Sequence, residues 1–285
     1  MLLVFVLVIE YTSRGAVALS PDNINVSKFH QSTTLIRKYH GYAFAWAAIY
    51  TFWYHPMEST LGHALGFFHT SIIMLQGSLV YTRSHLNKFW IVFLEFFVTI
   101  HSAVIAYQTA NYTIKLLPMF LFGFLFMFSF NQVYDLPFNW RMSKFLKYSP
   151  IVIFWLVAVP TFYYLKDSEG KSMFKKIRMV FNIPVAEGLF ALITMGVLKL
   201  VMPLYSKIQI KLQNNLNTFV RASLFISAIL VYYVMMGVGV LVHYNTNLPL
   251  MLCMPLFVIL YIIGCILSFC LIGLSLDANE RSGIS

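Results

Sequence analysis

Apolar runs of about 20 residues, separated by short polar stretches, recur between residues 39 and 274, and each is long enough to cross a ~30 Å hydrocarbon layer as a helix. Within lipid every backbone N–H and C=O must be satisfied by the protein itself, so only helices and closed barrels can span it, and runs this long exceed a barrel strand. The recurrence therefore limits the chain to helices in a membrane. Composition agrees: with 59% hydrophobic and 11% charged residues, a chain of 285 residues carries more apolar surface than one soluble core can bury.

The expected fold class is all-α, a polytopic integral membrane helical bundle of about eight transmembrane helices. Residues 1–36 form an N-terminal segment, 37–276 the bundle and 277–285 a tail. The spans are expected near 39–54, 61–82, 89–107, 116–133, 151–165, 179–202, 219–242 and 250–274. Residues 138–147 mix Trp140, Phe145 and Leu146 with Arg141, Lys144 and Lys147, a pattern that predicts an interfacial connector. The charged stretch 166–178 is expected as a loop, and 205–217, which alternates apolar and polar residues, as interfacial or extended. Residues 1–9 are apolar without a basic start and Ala16-Val17-Ala18 loosely resembles a cleavage site, so a signal peptide and a shortened extra span both fit.

In a soluble protein a net charge of +10 would suggest nucleic acid. Here the basic residues flank apolar runs, which points to topology and anionic lipid, with the bilayer and possible other membrane subunits as partners. With eight spans, fourteen of the 20 Lys and Arg residues fall on the side of the bundle termini, side A, which is then cytoplasmic. The turn holding Asn111-Tyr112-Thr113 falls on the opposite side, B, where this sequon could be glycosylated. The three cysteines, Cys253, Cys265 and Cys270, share the last run without metal-ligand spacing and read as packing thiols.

Ionisable groups inside these runs are the candidates for function, because they are expensive in lipid. The second run carries His63 and His69, the third Glu95 and His101, and the sixth Glu187, while His55 and Glu58 stand at the side-B mouth. At ~1.5 Å rise per residue the levels match His63 with His101 and His69 with Glu95, and Glu187 lies about 13 Å below side B. Gly62 and Gly66 make a small-xxx-small pair that lets another backbone approach closely where His63 enters the membrane. His69 and Gln76 share a face, as do Glu95, Thr99 and Ser102. The members of each in-helix pair stand six apart, about 120° around the axis, which is not the HxxxH spacing of a helical zinc site.

Three readings follow. In the first, His63, His69, His101 and Glu95, with His55 and Glu58 at the mouth, hold a metal ion (zinc, copper or iron), Glu95 or Glu187 serves as acid or base, and the protein is a membrane oxidoreductase acting on a small or lipid-soluble substrate. A haem b variant ligates haem between helices by paired histidines, with His40 and His85 near side A and His63 or His101 near side B. In the second, the same groups with Glu187 exchange protons in a proton-coupled transporter or channel, with Pro184 opening the sixth helix. In the third, they hydrogen-bond to one another and hold a non-catalytic scaffold subunit together. No phosphate loop or nucleophile elbow is present in the sequence.

Overall fold

Helix formation by the apolar runs is what the structure shows first. In the computed structural model, residues 55–138, 143–167 and 170–212 are described continuously, 222–231 as a further stretch, and shorter groups of positions elsewhere. Five long helices occupy the continuous part: α1 Leu61–Ser78, α2 Lys88–Thr109, α3 Leu117–Phe130, α4 Lys144–Tyr164 and α5 Asn182–Leu212. Short 3-10 helices join them at His55–Met57, Arg83–Leu86, Gln132–Asp135 and Met173–Phe181. Among the described residues the only extended pairing is an isolated bridge between Lys166 and Ser172.

Four stretches are long and apolar enough to cross a membrane: Lys88–Thr109, Leu117–Asp135, Phe145–Tyr164 and Met173–Ile208. Helix α1 is not among them, because two histidines, Thr70, Ser71 and Gln76 dilute its apolar content. The structure thus gives a mostly helical protein with four such helices among the described residues, and an eight-span count is not established. The expected spans at 39–54 and 250–274 lie largely outside the described residues, and that at 219–242 appears in part as the helix Ala222–Val231.

The chain divides into two units, Met1–Ile24 with Gly41–Leu189, and Asn25–His40 with Phe190–Ser285. In the first, α2 packs on α1 and α3, α3 packs on α4, and the Met173–Phe181 turn packs on α3 and α4. An aromatic core holds the latter half, with Phe122, Phe154, Ala158, Phe162, Met173 and Val180 all buried. Rings meet at offset or edge geometry, Phe122 with Phe162 at 5.2 Å and Phe126 with Phe154 at 5.7 Å. Gly123 admits α5 at this core, since a Cβ there would come within 2.8 Å of Ile183. On the other side of α4, Leu156 is 69% exposed, as suits a lipid-facing position.

Three boundary expectations are corrected. The connector 138–147 is helical from Lys144, because the Ser143 hydroxyl accepts the Leu146 N–H at 3.1 Å and caps α4. Pro150 then leaves the Leu146 carbonyl without its usual donor, and the Ser149 hydroxyl donates to that oxygen at 2.9 Å. The loop 166–178 becomes a 3-10 helix from Met173, anchored by buried Met173 and Val180. Residues 205–212 continue α5 as helix, for their Leu, Lys and Gln content favours helix and the short alternation misleads.

Candidate functional site

The site is assembled at the start of α1. Thr60 caps this helix by accepting the His63 N–H on Oγ1 at 3.3 Å, and the same oxygen lies 2.8 Å from His63 Nδ1. Glu58 reaches the same nitrogen at 3.7 Å, with its side chain 65% exposed against 11% for His63. The Thr60 hydroxyl can donate to Nδ1 of a neutral ring and can accept from Nδ1–H of a charged one, so both states of His63 have a partner. His63 is thereby tied to a solvent-facing carboxylate.

Gly66, one turn further along α1, receives the His55 ring. A Cβ on Gly66 would overlap that imidazole, so the bare backbone is what lets the 3-10 turn His55–Met57 lay its histidine against α1. Seated there, His55 lies 6.1 Å from His63 and 5.7 Å from His101 by ring centroid, each pair crossing at 74°. Its own burial, and then the neighbouring His63, hold His55 below the ordinary imidazole value.

Helix α2 supplies the next ring. Gly62 N–H donates to Gln108 Oε1 at 2.8 Å, and Gln76 Oε1 accepts Trp90 Nε1–H at 2.7 Å. These contacts, with His69 and His101 between them at 6.0 Å and 73°, place Gly62, His69 and Gln76 at steps of seven along one face of antiparallel α1. His69 stands beside His101, and Gln108 stands opposite Gly62, where the glycine lets the glutamine reach a backbone N–H. His69 also contacts buried Phe97 at 5.4 Å. His101 Nε2 is buried without a hydrogen-bond partner.

Four imidazoles thus stand in file, His63, His55, His101, His69, from the exposed Glu58 carboxylate to the Phe97 ring. Glu95 is 6% exposed and shares a buried stripe of α2 with Val92, Thr99, Ala103 and Ala106, about 120° around the axis from His101. Glu187 is on α5, with its Oε2 buried and without a hydrogen-bond partner. The first residues of α5 meet α3, Ile183 at Gly123 and Asn182 Nδ2 at Met119 Sδ, 3.4 Å away. Among the described residues no group of three or more His, Cys, Asp or Glu is placed to hold a metal ion.

Of the proposed haem residues, His85 Nδ1 donates to the Gln76 carbonyl at 3.0 Å and His40 Nδ1 to the Arg37 carbonyl at 2.6 Å. Gln76 Nε2 returns a hydrogen bond to the His85 carbonyl at 3.1 Å, which closes the end of α1. Gln108 was missed in the sequence, although it stands seven residues after His101 and hence on its face of α2.

The apolar helices and this file define a class, a helical protein with four helices long and apolar enough to cross a membrane and a histidine-lined helix pair. Comparison with protein-family models, curated proteins and solved structures returns no match.

Proposed function

We propose that this chain handles protons within a membrane, as a proton-coupled transporter or channel, and that His63, His55, His101 and His69 form its relay. The observation that carries the reading is the single file of rings at 6.1, 5.7 and 6.0 Å, leading from exposed Glu58 toward the interior. A neutral imidazole takes a proton on one nitrogen and releases another from its second nitrogen, so charge crosses each ring while its atoms stay in place. Ring rotation or one bridging water spans gaps of this size. Glu58 gathers protons at the surface and Thr60 holds His63 through both of its states.

Proteoliposomes with an internal pH dye test this after an imposed pH step. His101→Phe keeps the ring volume and breaks the file, and proton flux falls about tenfold or more. Unaltered flux in His101→Phe ends the relay reading.

A second reading draws on the partnerless His101 Nε2, a buried lone pair suited to a metal. In it His63, His69 and His101 with Glu95 converge on zinc, copper or iron after rearrangement, Glu187 serves as acid or base, and the protein is a membrane oxidoreductase. Elemental analysis with an optical spectrum separates the two. Stoichiometric metal that disappears in both His63→Ala and His101→Ala favours this second reading.

A further inference from the structure

Helix α4 ends at Tyr164 and α5 begins at Asn182, so the turn that joins them, residues 165–181, lies at one membrane surface. Exposed aromatic residues ring it: Tyr163, Tyr164, Phe174 and Phe181. Such residues at span ends sit at headgroup level. Five basic residues share the turn, Lys166, Lys171, Lys175, Lys176 and Arg178, against Asp167 and, outside the described residues, Glu169.

The turn is ordered from within. Asp167 Oδ1 accepts the Lys171 N–H at 3.2 Å, Asp167 Oδ2 pairs with Lys176 Nζ at 3.0 Å, and the Lys166–Ser172 bridge closes the loop. Asp167 is therefore engaged by one of the five cations. Beyond the bridge the chain is 3-10, at 3.0 residues per turn, so positions three apart stand in one row. Lys175, Arg178 and Phe181 make such a row, all three exposed, with the Phe181 ring also meeting Phe126 at 5.4 Å and Trp155 at 6.0 Å, while Met173 and Val180 are buried in the aromatic core. Successive members of the row are about 6 Å apart along the axis. Two cations one turn apart, with an aromatic ring next in line, match a phosphate with its acyl chains running alongside Phe181.

We infer that the Lys175–Arg178–Phe181 row is a binding site for the headgroup of an anionic phospholipid. The two side chains hold the phosphate, and Phe181 packs on the glycerol and upper acyl chain. The site is independent of the histidine file.

Native mass spectrometry of the full chain, released from vesicles of mixed phosphatidylglycerol and phosphatidylcholine, reads the retained lipid. The expected result is retention of phosphatidylglycerol over phosphatidylcholine, a preference that falls about tenfold in Lys175→Gln/Arg178→Gln. Lys175→Arg/Arg178→Lys, which preserves charge and fold, restores it, and Lys115→Gln at another turn leaves it intact. An unchanged preference in the double glutamine variant overturns the inference. So does an equal loss in Lys115→Gln, which would mark a diffuse field, or displacement of the lipid by inorganic phosphate, which would mark an anion site without lipid selectivity.

Discussion

At the scale of single residues, the pivotal contact is between a glycine and an imidazole. The Gly62 and Gly66 pair is legible in the sequence as a close-approach motif, but which groups would fill it is not, because His55 arrives from a turn and Gln108 from another helix. Gly66→Ala forces the His55 ring away, and overpacking of this kind costs about 1–3 kcal/mol. The melting temperature in detergent therefore falls. Adding His55→Ala to Gly66→Ala vacates the contested space, so the double variant loses less than the two single losses together, while additive losses would mean the ring does not sit there. The pH response follows from the same seat. Because His55 titrates below the ordinary imidazole value, the unfolded chain binds more protons just below about pH 6.5. Stability then rises with pH through that window and is lost on acidification. Melting at about pH 5 and about pH 7.5 should differ less in His55→Phe than in the native chain.

At the scale of elements, what could be read depended on whether the signal was local. The polar stripe of α1 was visible as His69 and Gln76 on one face, and the structure uses it to fix α1 against α2. Pairing across two helices depends on rotation as well as depth, and spacing along one chain gives depth alone. Six residues place Glu95 and His101 about 120° apart around α2, which packs against both α1 and α3. The start of α4 shows the opposite error. Ser143 is a good cap, but basic and aromatic residues around it outweighed that single residue in the sequence. Ser143→Ala should cost about 0.5–2 kcal/mol of local helix stability, seen as faster hydrogen exchange at the first amides of α4 with the end of the helix unaffected. Gln76→Leu should do more, since it strands the Trp90 indole N–H in a partly buried place at about 1–3 kcal/mol. Equal melting of Gln76→Leu and the native chain would show that the indole has another acceptor.

At the scale of the whole molecule, apolar runs declare the membrane in the sequence because the signal is summed over about 20 residues at a time. Orientation is a weaker signal, since it depends on the parity of the span count, and the helix Leu61–Ser78 with its two histidines shows how polar side chains dilute a helix's apolar content. Parity within the first unit is nonetheless testable. If Leu117–Asp135 and Phe145–Tyr164 each cross once, the turn after α2 and the turn after α4 emerge on the same face, with the α3–α4 connection on the other. In a background with its three cysteines replaced, single cysteines at Thr113 and Lys171 should react with a membrane-impermeant maleimide from one side of sealed vesicles, and a cysteine at Pro137 from the other. Labelling of Thr113 and Lys171 from opposite sides would mean that one of the two helices lies along the membrane instead of through it. The Lys175 and Arg178 row, four or more residues beyond Lys171 on the same turn, would then also change the leaflet from which it draws its lipid.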